Sequence, residues 1–366
     1  MTIVYVVLVL YMRYGWSRLP YFTVKKYKAT EKVSVVIAAR NEEQNIKRTL
    51  DDIVNQDYDK DLLEVIVVDD HSTDKTSEIV LSYADRGVKL IQLNEGDKLN
   101  SYKKLAIDRA IHASSADIII TTDADCRMGN KWVSSIVQYM ETSDKWMVSS
   151  PVCYHEEKSY FEKLQTLEFL YLIGLGAAGI GNGNPTTCNG ANFAYRKDLF
   201  VEMGGFKGID DLASGDDELL LHKVAEKYAD KIGFCKSRDV IVYTDAKENL
   251  KSFISQRKRW ASKSTKYKDK KVVLLGVSIW LFNLAFLLSV LMLPFYYKDN
   301  MGLVWMSLIL KMLSELIFLY PILNFAKRKD LLASLPFLSV LHSLYFVYIG
   351  IAGNVGKYDW KGRTVK

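Results

Sequence analysis

The sequence has little cysteine. Its 366 residues hold four, Cys126, Cys153, Cys188 and Cys235, with no paired metal-binding spacing among them. That pattern points to reduced thiols in a cytoplasmic domain rather than to a disulfide framework. Excess charge of one sign is also small: a net charge of +6 is too mild to argue for nucleic acid, and none is expected as a partner. A secretory signal peptide is not the expected reading of the N-terminal residues either. The apolar residues 3–11 have no positive segment before them and no small-residue cleavage site after them. They are short for a membrane span, which needs about 20 apolar residues, and Arg13 follows soon after. Residues 1–22 are expected to form an N-terminal membrane anchor: a snorkelling or interfacial helix, or the remnant of a longer first span.

What is present divides in two. The average composition, 49% hydrophobic and 25% charged, hides a change of character at residue 272. Before it, from residue 23, strands, helices and charges alternate; after it the chain is mostly membrane-like. Residues 247–271 hold ten lysines or arginines against two acids, and basic residues flanking a span mark its cytoplasmic side. A basic amphipathic interfacial segment is expected there. Three transmembrane helices should follow within 272–353, at 272–297, 301–326 and 331–353. Lys311 and Glu315, one turn apart and of opposite sign, should pair inside the bundle rather than face lipid. Three full crossings would put the basic tail, residues 354–366, on the far side, against the charge rule. Either one segment is re-entrant or the tail is an exception.

In the first part, residues 33–37, 64–68, 89–93 and 117–121 read as strands, each short and apolar. A helix over about 44–56 would bury Ile46, Leu50, Ile53 and Val54 on one face. Another surrounds residues 103–112, and Ser72 and Thr73 could cap the one between. Strand, loop and helix repeated three times predict a doubly wound α/β sheet. The last of these strands leads into Asp123 and Asp125. Ligands of such sheets lie outside the carboxyl ends of the strands, and two adjacent carboxylates there repel unless a cation lies between them. A hard divalent ion holding a diphosphate meets that need.

Residues 33–43, the segment from Val67 through Asp69, Asp70, Ser72 and Asp74, and the Asp123-Ala124-Asp125 triplet together resemble glycosyltransferase family 2, inverting sugar transferases of the GT-A fold. Asn189 to Asn192 with Gly204, Gly205 and Phe206 resembles that family's acceptor-side segment. Asp216 and Asp217 occupy the place of its Glu-Asp motif. Gln256, Arg259 and Trp260 fit the Gln-x-x-Arg-Trp motif of its membrane branch, to which the cellulose, chitin and hyaluronan synthases belong.

The resemblance implies a GT-A catalytic domain at residues 30–246 followed by a C-terminal transmembrane helical part. It implies that Asp69, in preference to Asp70, bonds the uracil or ribose of a nucleotide sugar, with Arg40 and Glu42 beside the same crevice. Lys103, or its rival Lys104, would meet uracil or phosphate. Asp125 would coordinate Mg or Mn directly, and Asp123 would serve both nucleotide and metal. Gln256 and Arg259 would hold the diphosphate, while Asn192 and Trp260 would contact the acceptor. Asp217 falls on the base position, with Asp216 replacing the usual Glu beside it, so which of the two takes the proton stays open. The expected enzyme is membrane-bound and multi-pass with a cytoplasmic catalytic domain. It would transfer a sugar, UDP-linked by preference, to a lipid or polysaccharide hydroxyl. Two other classes compete: a nucleotidyltransferase of similar α/β fold, and a non-catalytic membrane scaffold or transport protein.

Overall fold

Short runs of β-branched and aliphatic residues build the parallel half of the central sheet: β1 (Val33–Ala39), β2 (Leu63–Asp69), β3 (Val88–Gln92) and β4 (Ile118–Asp123). The computed structural model describes the chain except for residues 27, 95–100, 211, 213, 264–266, 268–269, 293–294, 296–297, 354–357, 361–362 and 366. Two small strands, β5 (Arg127–Met128) and β7 (Val152–Tyr154), pair with β10 (Val242–Thr244) in a second sheet. The main sheet continues with β6 (Met147–Ser149), β8 (Phe193–Arg196) and β9 (Ile232–Phe234), in the order β3-β2-β1-β4-β8-β6-β9. β8 runs antiparallel to both of its neighbours, so the sheet is mixed beyond its four parallel strands.

Alternation along the strands fills both faces. Val35, Ile37, Val67 and Ile120 belong to one buried cluster; Val36, Ile66, Val68 and Ile119 belong to the other. The first face is covered by α2 (Ile46–Val54), α3 (Thr76–Leu81) and α5 (Trp132–Ser143). The second is covered by α4 (Tyr102–Ala113), α6 (Tyr160–Gly181), α7 (Lys197–Glu202) and α8 (Glu218–Tyr228). In α2 the expected stripe holds: Ile46, Leu50 and Ile53 are fully buried. The cap expected of Ser72 and Thr73 does not form. α3 begins after Lys75, and Asp74 Oδ1 accepts from the Thr76 N–H at 3.0 Å. Ser72 and Thr73 instead hold the loop after β1: the Asn41 N–H donates to Ser72 Oγ at 2.9 Å, and the Thr73 N–H to Asn41 Oδ1 at 2.8 Å.

The remaining helices are α1 (Thr2–Arg18), α9 (Leu250–Ala261), α10 (Lys270–Leu291), α11 (Lys298–Ala326) and α12 (Leu335–Ala352). α1 packs along α6 and α11. A side chain cannot fit where it crosses α6, since a Cβ on Gly181 would lie 2.1 Å from the Gly15 carbonyl oxygen. Tyr5, Val9, Trp16 and Leu19, within the residues expected to form a membrane anchor, share one hydrophobic cluster with the sheet and with α11.

Among the described residues, four helical stretches are long and apolar enough to cross a membrane: Tyr160–Gly181, Val272–Leu291, Met301–Ala326 and Lys329–Ala352. The first escaped the sequence reading because Glu162, Lys163 and Glu168 interrupt it; α6 is mostly buried against the sheet. The others keep exposed apolar side chains such as Leu281, Trp305, Leu313, Phe337 and Leu344. α10 stops at Leu291, short of the expected residue 297.

Lys311 and Glu315 do pair inside the bundle, at 2.6 Å and both buried. Ser339 of α12 donates to Glu315 Oε2 at 2.5 Å, and Tyr5 of α1 to Glu315 Oε1 at 2.6 Å, so the pair ties three helices together. α12 meets the sheet domain near its start, where Tyr160 donates to Ser334 Oγ at 3.2 Å. Its far end lies against α9, where a Cβ on Gly353 would come 2.6 Å from Ala261 Cβ. Beyond it, Tyr358–Trp360 pairs antiparallel with Arg363–Val365.

Candidate active site

The carboxyl ends of β1, β2 and β4 open on a cavity of about 440 Å³. Asp123, the last residue of β4, and Asp125 line it, together with Arg40, Glu42, Asp70 and Lys103. From the opposite side come the turn holding Asp216 and Asp217, then Gln256, Arg259 and Trp260 of α9. These residues are far apart in sequence; the topology puts them on one space, as a crevice at the strand ends requires.

Lys103, in the first turn of α4, joins the two sides. Its Nζ lies 2.9 Å from Asp123 Oδ1 and 3.3 Å from Asp216 Oδ2. Burial alone would lower its pKa, but Asp123, Asp216 and Asp217 outweigh that and raise it. Burial likewise opposes ionisation of Asp123, yet Lys103 and Arg259 hold its carboxyl below the usual range. The rival Lys104 points the other way: it is buried, and its Nζ donates to the carbonyls of Ile209, Leu212 and Ser214 at 2.6, 2.7 and 2.9 Å. It braces the loop ahead of the Asp216 turn and does not line the cavity.

Asp123, Asp125 and Cys126 place possible ligand atoms within 4.8 Å of one another. The two carboxylates suit a hard ion such as Mg or Mn, which prefers oxygen. Cys126 does not. Burial, then the adjacent Asp125 and Asp123, pushes its thiol well above the ordinary value and keeps it protonated.

The Asp216–Asp217 turn is built from backbone. Gly215, at φ +86°, adopts a left-handed conformation that few other residues accept and starts the turn into α8. Asp217 caps that helix, its Oδ1 accepting from the Glu218 N–H at 2.7 Å, while its Oδ2 accepts from the Gly190 N–H at 2.7 Å. Burial would raise its pKa, but Lys263, Lys103 and these two N–H groups lower it. Lys263, 3.6 Å from Asp217 and 2.6 Å from Glu218, is a site residue that sequence reasoning missed. It lay unmarked among the ten basic residues of 247–271, where charge alone singles out none.

Two expected site residues lie elsewhere. Asp69 is buried behind the strand end: the Ser72 N–H donates to its Oδ1 at 3.1 Å and Ser77 Oγ to its Oδ2 at 2.5 Å. Asp70, not Asp69, lines the cavity, with Oδ1 2.9 Å from His71 Nδ1. Asn192 is fully buried; its Nδ2 donates to the carbonyls of Pro151 and Val240 at 2.8 and 2.7 Å, and its Oδ1 accepts from Trp132 Nε1 at 2.9 Å. Those bonds commit all its donors to the core, whereas its neighbours Asn189 and Ala191 line the cavity. Arg40 donates to the carbonyls of Asp70 and His71 at 2.8 and 3.0 Å and so bridges the ends of β1 and β2.

On α9, Gln256, Arg259 and Trp260 share the face turned to the cavity, as their spacing predicts. Arg257 turns the other way. It is buried against Glu168 of α6, which also accepts from Tyr345 Oη of α12 at 2.6 Å. The guanidinium carbon lies 4.3 Å from the centre of the Trp260 ring, and Nη1 donates to Gln256 Oε1 at 2.7 Å. This interior pair holds the cavity-facing side chains of α9. Arg257→Met strands a buried carboxylate, so it should destabilise the protein by about 3–5 kcal/mol. Thermal unfolding of the full chain in detergent checks this; an unchanged midpoint would show that the pair does not hold α9.

Comparison with known proteins is consistent with this geometry. Residues 34–204 match the family described as Glycosyl transferase family 2. Probable glycosyltransferase YdaM of Bacillus subtilis (strain 168) is 29% identical over 239 residues, which cover 64% of this chain and 55% of that protein. Beta-monoglucosyldiacylglycerol synthase of Nostoc sp. (strain PCC 7120 / SAG 25.82 / UTEX 2576) is 30% identical over 105 residues, 29% of this chain and 22% of that protein. The chain thus spans about half the length of the first relative and about a fifth of the second. Among solved structures, the mannosyltransferase PcManGT from Pyrobaculum calidifontis, in complex with GDP-Man and Mn2+, matches with a TM-score of 0.55 at 19% identity. That match covers 93% of this chain and 95% of the other, and the shared architecture is the α/β GT-A fold.

Proposed function

We propose for this chain, whose residues 34–204 match glycosyl transferase family 2, a membrane-bound, metal-dependent and inverting sugar transfer. The donor is a nucleotide sugar, UDP-linked before GDP-linked, and the acceptor is a lipid or glycan hydroxyl. One observation carries the reading. Lys103 reaches Asp123 at 2.9 Å and Asp216 at 3.3 Å, so the acids suited to a metal diphosphate and those suited to a base share one cavity.

In this reading Asp70, Arg40 and Glu42 form the nucleotide end. Asp123 and Asp125 hold Mg or Mn, which when bound neutralises the diphosphate. Lys103, Arg259 and Gln256 add donors where negative charge develops on the leaving group. The acceptor oxygen forms a bond to the anomeric carbon from the face opposite the diphosphate. The bond from that carbon to the diphosphate oxygen breaks with its electron pair, and configuration inverts. The acceptor proton passes to Asp217, whose two oxygens each keep a lone pair beyond the N–H bonds that orient them. Trp260 offers a ring face to the acceptor.

A nucleotidyltransferase would use Asp123 and Asp125 but has no need of Asp217 or Trp260. Its activity should survive Asp217→Asn and Trp260→Ala, whereas sugar transfer should not. A scaffold should bind no nucleotide at all. Calorimetry on the purified full chain is expected to show saturable UDP or GDP binding that disappears in chelator; its absence for both nucleotides would sink the reading.

Membrane attachment rests on the exposed apolar faces of α10, α11 and α12. Their insertion is not electrostatic, so a high-salt wash without detergent should leave the chain in the membrane pellet. Recovery of the intact chain in the wash would mean that these helices do not hold it there.

A further inference from the structure

We infer that the acceptor is an alcohol carried on an alkyl chain, seated in an apolar extension of the catalytic cavity along α6. The inference rests on the transferase reading and narrows its acceptor. Past the acids, the cavity wall is one face of α6: Phe169, Leu172, Ile173 and Gly176, spaced i, i+3, i+4 and i+7. Trp260 closes this part, its ring 5.9 Å from that of Phe169. No side chain on that helical face can donate or accept a hydrogen bond, whereas a glycan acceptor presents hydroxyls at every unit and calls for polar partners. Two lining residues, Ser150 and Tyr154, each keep a buried side-chain oxygen without a hydrogen-bond partner among the described residues. α6 is also the helix on which α1, α11 and α12 pack, and α11 and α12 carry exposed apolar faces suited to lipid. α6 thus stands between the apolar cavity wall and the helices that carry exposed apolar faces.

In the step implied, the alcohol oxygen bonds to the anomeric carbon and the carbon–diphosphate bond breaks. Asp217 receives the proton, and the products are an alkyl glycoside and a nucleoside diphosphate.

The test uses the full chain purified in detergent, a panel of radiolabelled UDP- and GDP-sugars, and two acceptor probes: dioleoylglycerol and the water-soluble trisaccharide cellotriose. Label is expected in the organic phase, dependent on dioleoylglycerol, and absent from cellotriose. Leu172→Trp, which fills the apolar extension, should cut organic-phase label by roughly 10-fold or more. Leu172→Ala should raise the KM for dioleoylglycerol with less effect on kcat. Both variants are first checked for an unchanged unfolding midpoint, and Leu172→Ala stands alone if the larger side chain unfolds the protein. Label on cellotriose with none in the organic phase would overturn the inference while leaving sugar transfer intact. So would a Leu172→Trp protein that labels lipid as the parent does. Neither label nor nucleotide release with any donor would instead overturn the transferase reading, and this inference with it.

Discussion

Asp217→Asn is expected to lower sugar transfer by about 10²–10⁴-fold, the range typical of losing a general base, while donor binding stays nearly unchanged. A base that acts only on the acceptor proton contributes in the transition state and little in the donor complex, so the loss should appear in kcat. Asn retains one oxygen that can cap α8, but its amide N–H2 must face either the Gly190 or the Glu218 N–H, each now 2.7 Å from a carboxylate oxygen. An unfolding midpoint for the variant separates that cost from lost chemistry. Asp216→Asn should fall much less, because Asp216 meets Lys103 and stands beside the capping residue. If the two variants trade places, Asp216 is the base. If both keep transfer, the turn only starts a helix, and another carboxylate must take the proton.

Asp125→Ala should abolish turnover and metal-dependent UDP binding while the domain stays folded. Among the described residues, the proposed metal site offers two oxygen-bearing side chains, Asp123 and Asp125, since Cys126 is held as a buried thiol. Asp123 is already engaged by Lys103 at 2.9 Å, so it cannot replace the missing ligand without giving up that contact. Chelator should act on the parent as the substitution does, and added Mg or Mn should restore the parent alone. Full activity in chelator would remove the metal from the mechanism, leaving Lys103 and Arg259 as the charge on the leaving group.

The parallel strands were legible because each is an apolar run bounded by loop residues, and α2 because Ile46, Leu50 and Ile53 recur at helical spacing. That acids stand at the ends of β2 and β4, and that Gln256, Arg259 and Trp260 share one face of α9, followed from strand ends and helical spacing, while their roles came from the family resemblance. What stayed hidden depends on direction rather than type. Asp69 and Asp70 are identical in chemistry, and only the turn through Ser72 and Ser77 decides which one looks into the cavity. Lys103 and Lys104 differ by one position on a helix, about 100° of rotation, and that sends one to Asp123 and the other to three carbonyls. Asn192 carried no mark of its burial, because its partners Pro151, Val240 and Trp132 are distant in sequence. Glu168, Arg257 and Lys263 were invisible for the same reason: a buried ion pair is a property of two helices meeting. α6, apolar enough for a span, was masked by Glu162, Lys163 and Glu168, of which Glu168 turns inward to Arg257.

The most direct test of the central claim is turnover by the full chain in its membrane, with UDP- and GDP-sugars offered one at a time in the presence of Mg or Mn and a lipid extract. The account predicts nucleoside diphosphate release matched by transfer of the sugar from at least one donor, lost in chelator and in Asp217→Asn. Release of pyrophosphate instead, or no turnover with any donor despite tight nucleotide binding, would contradict it.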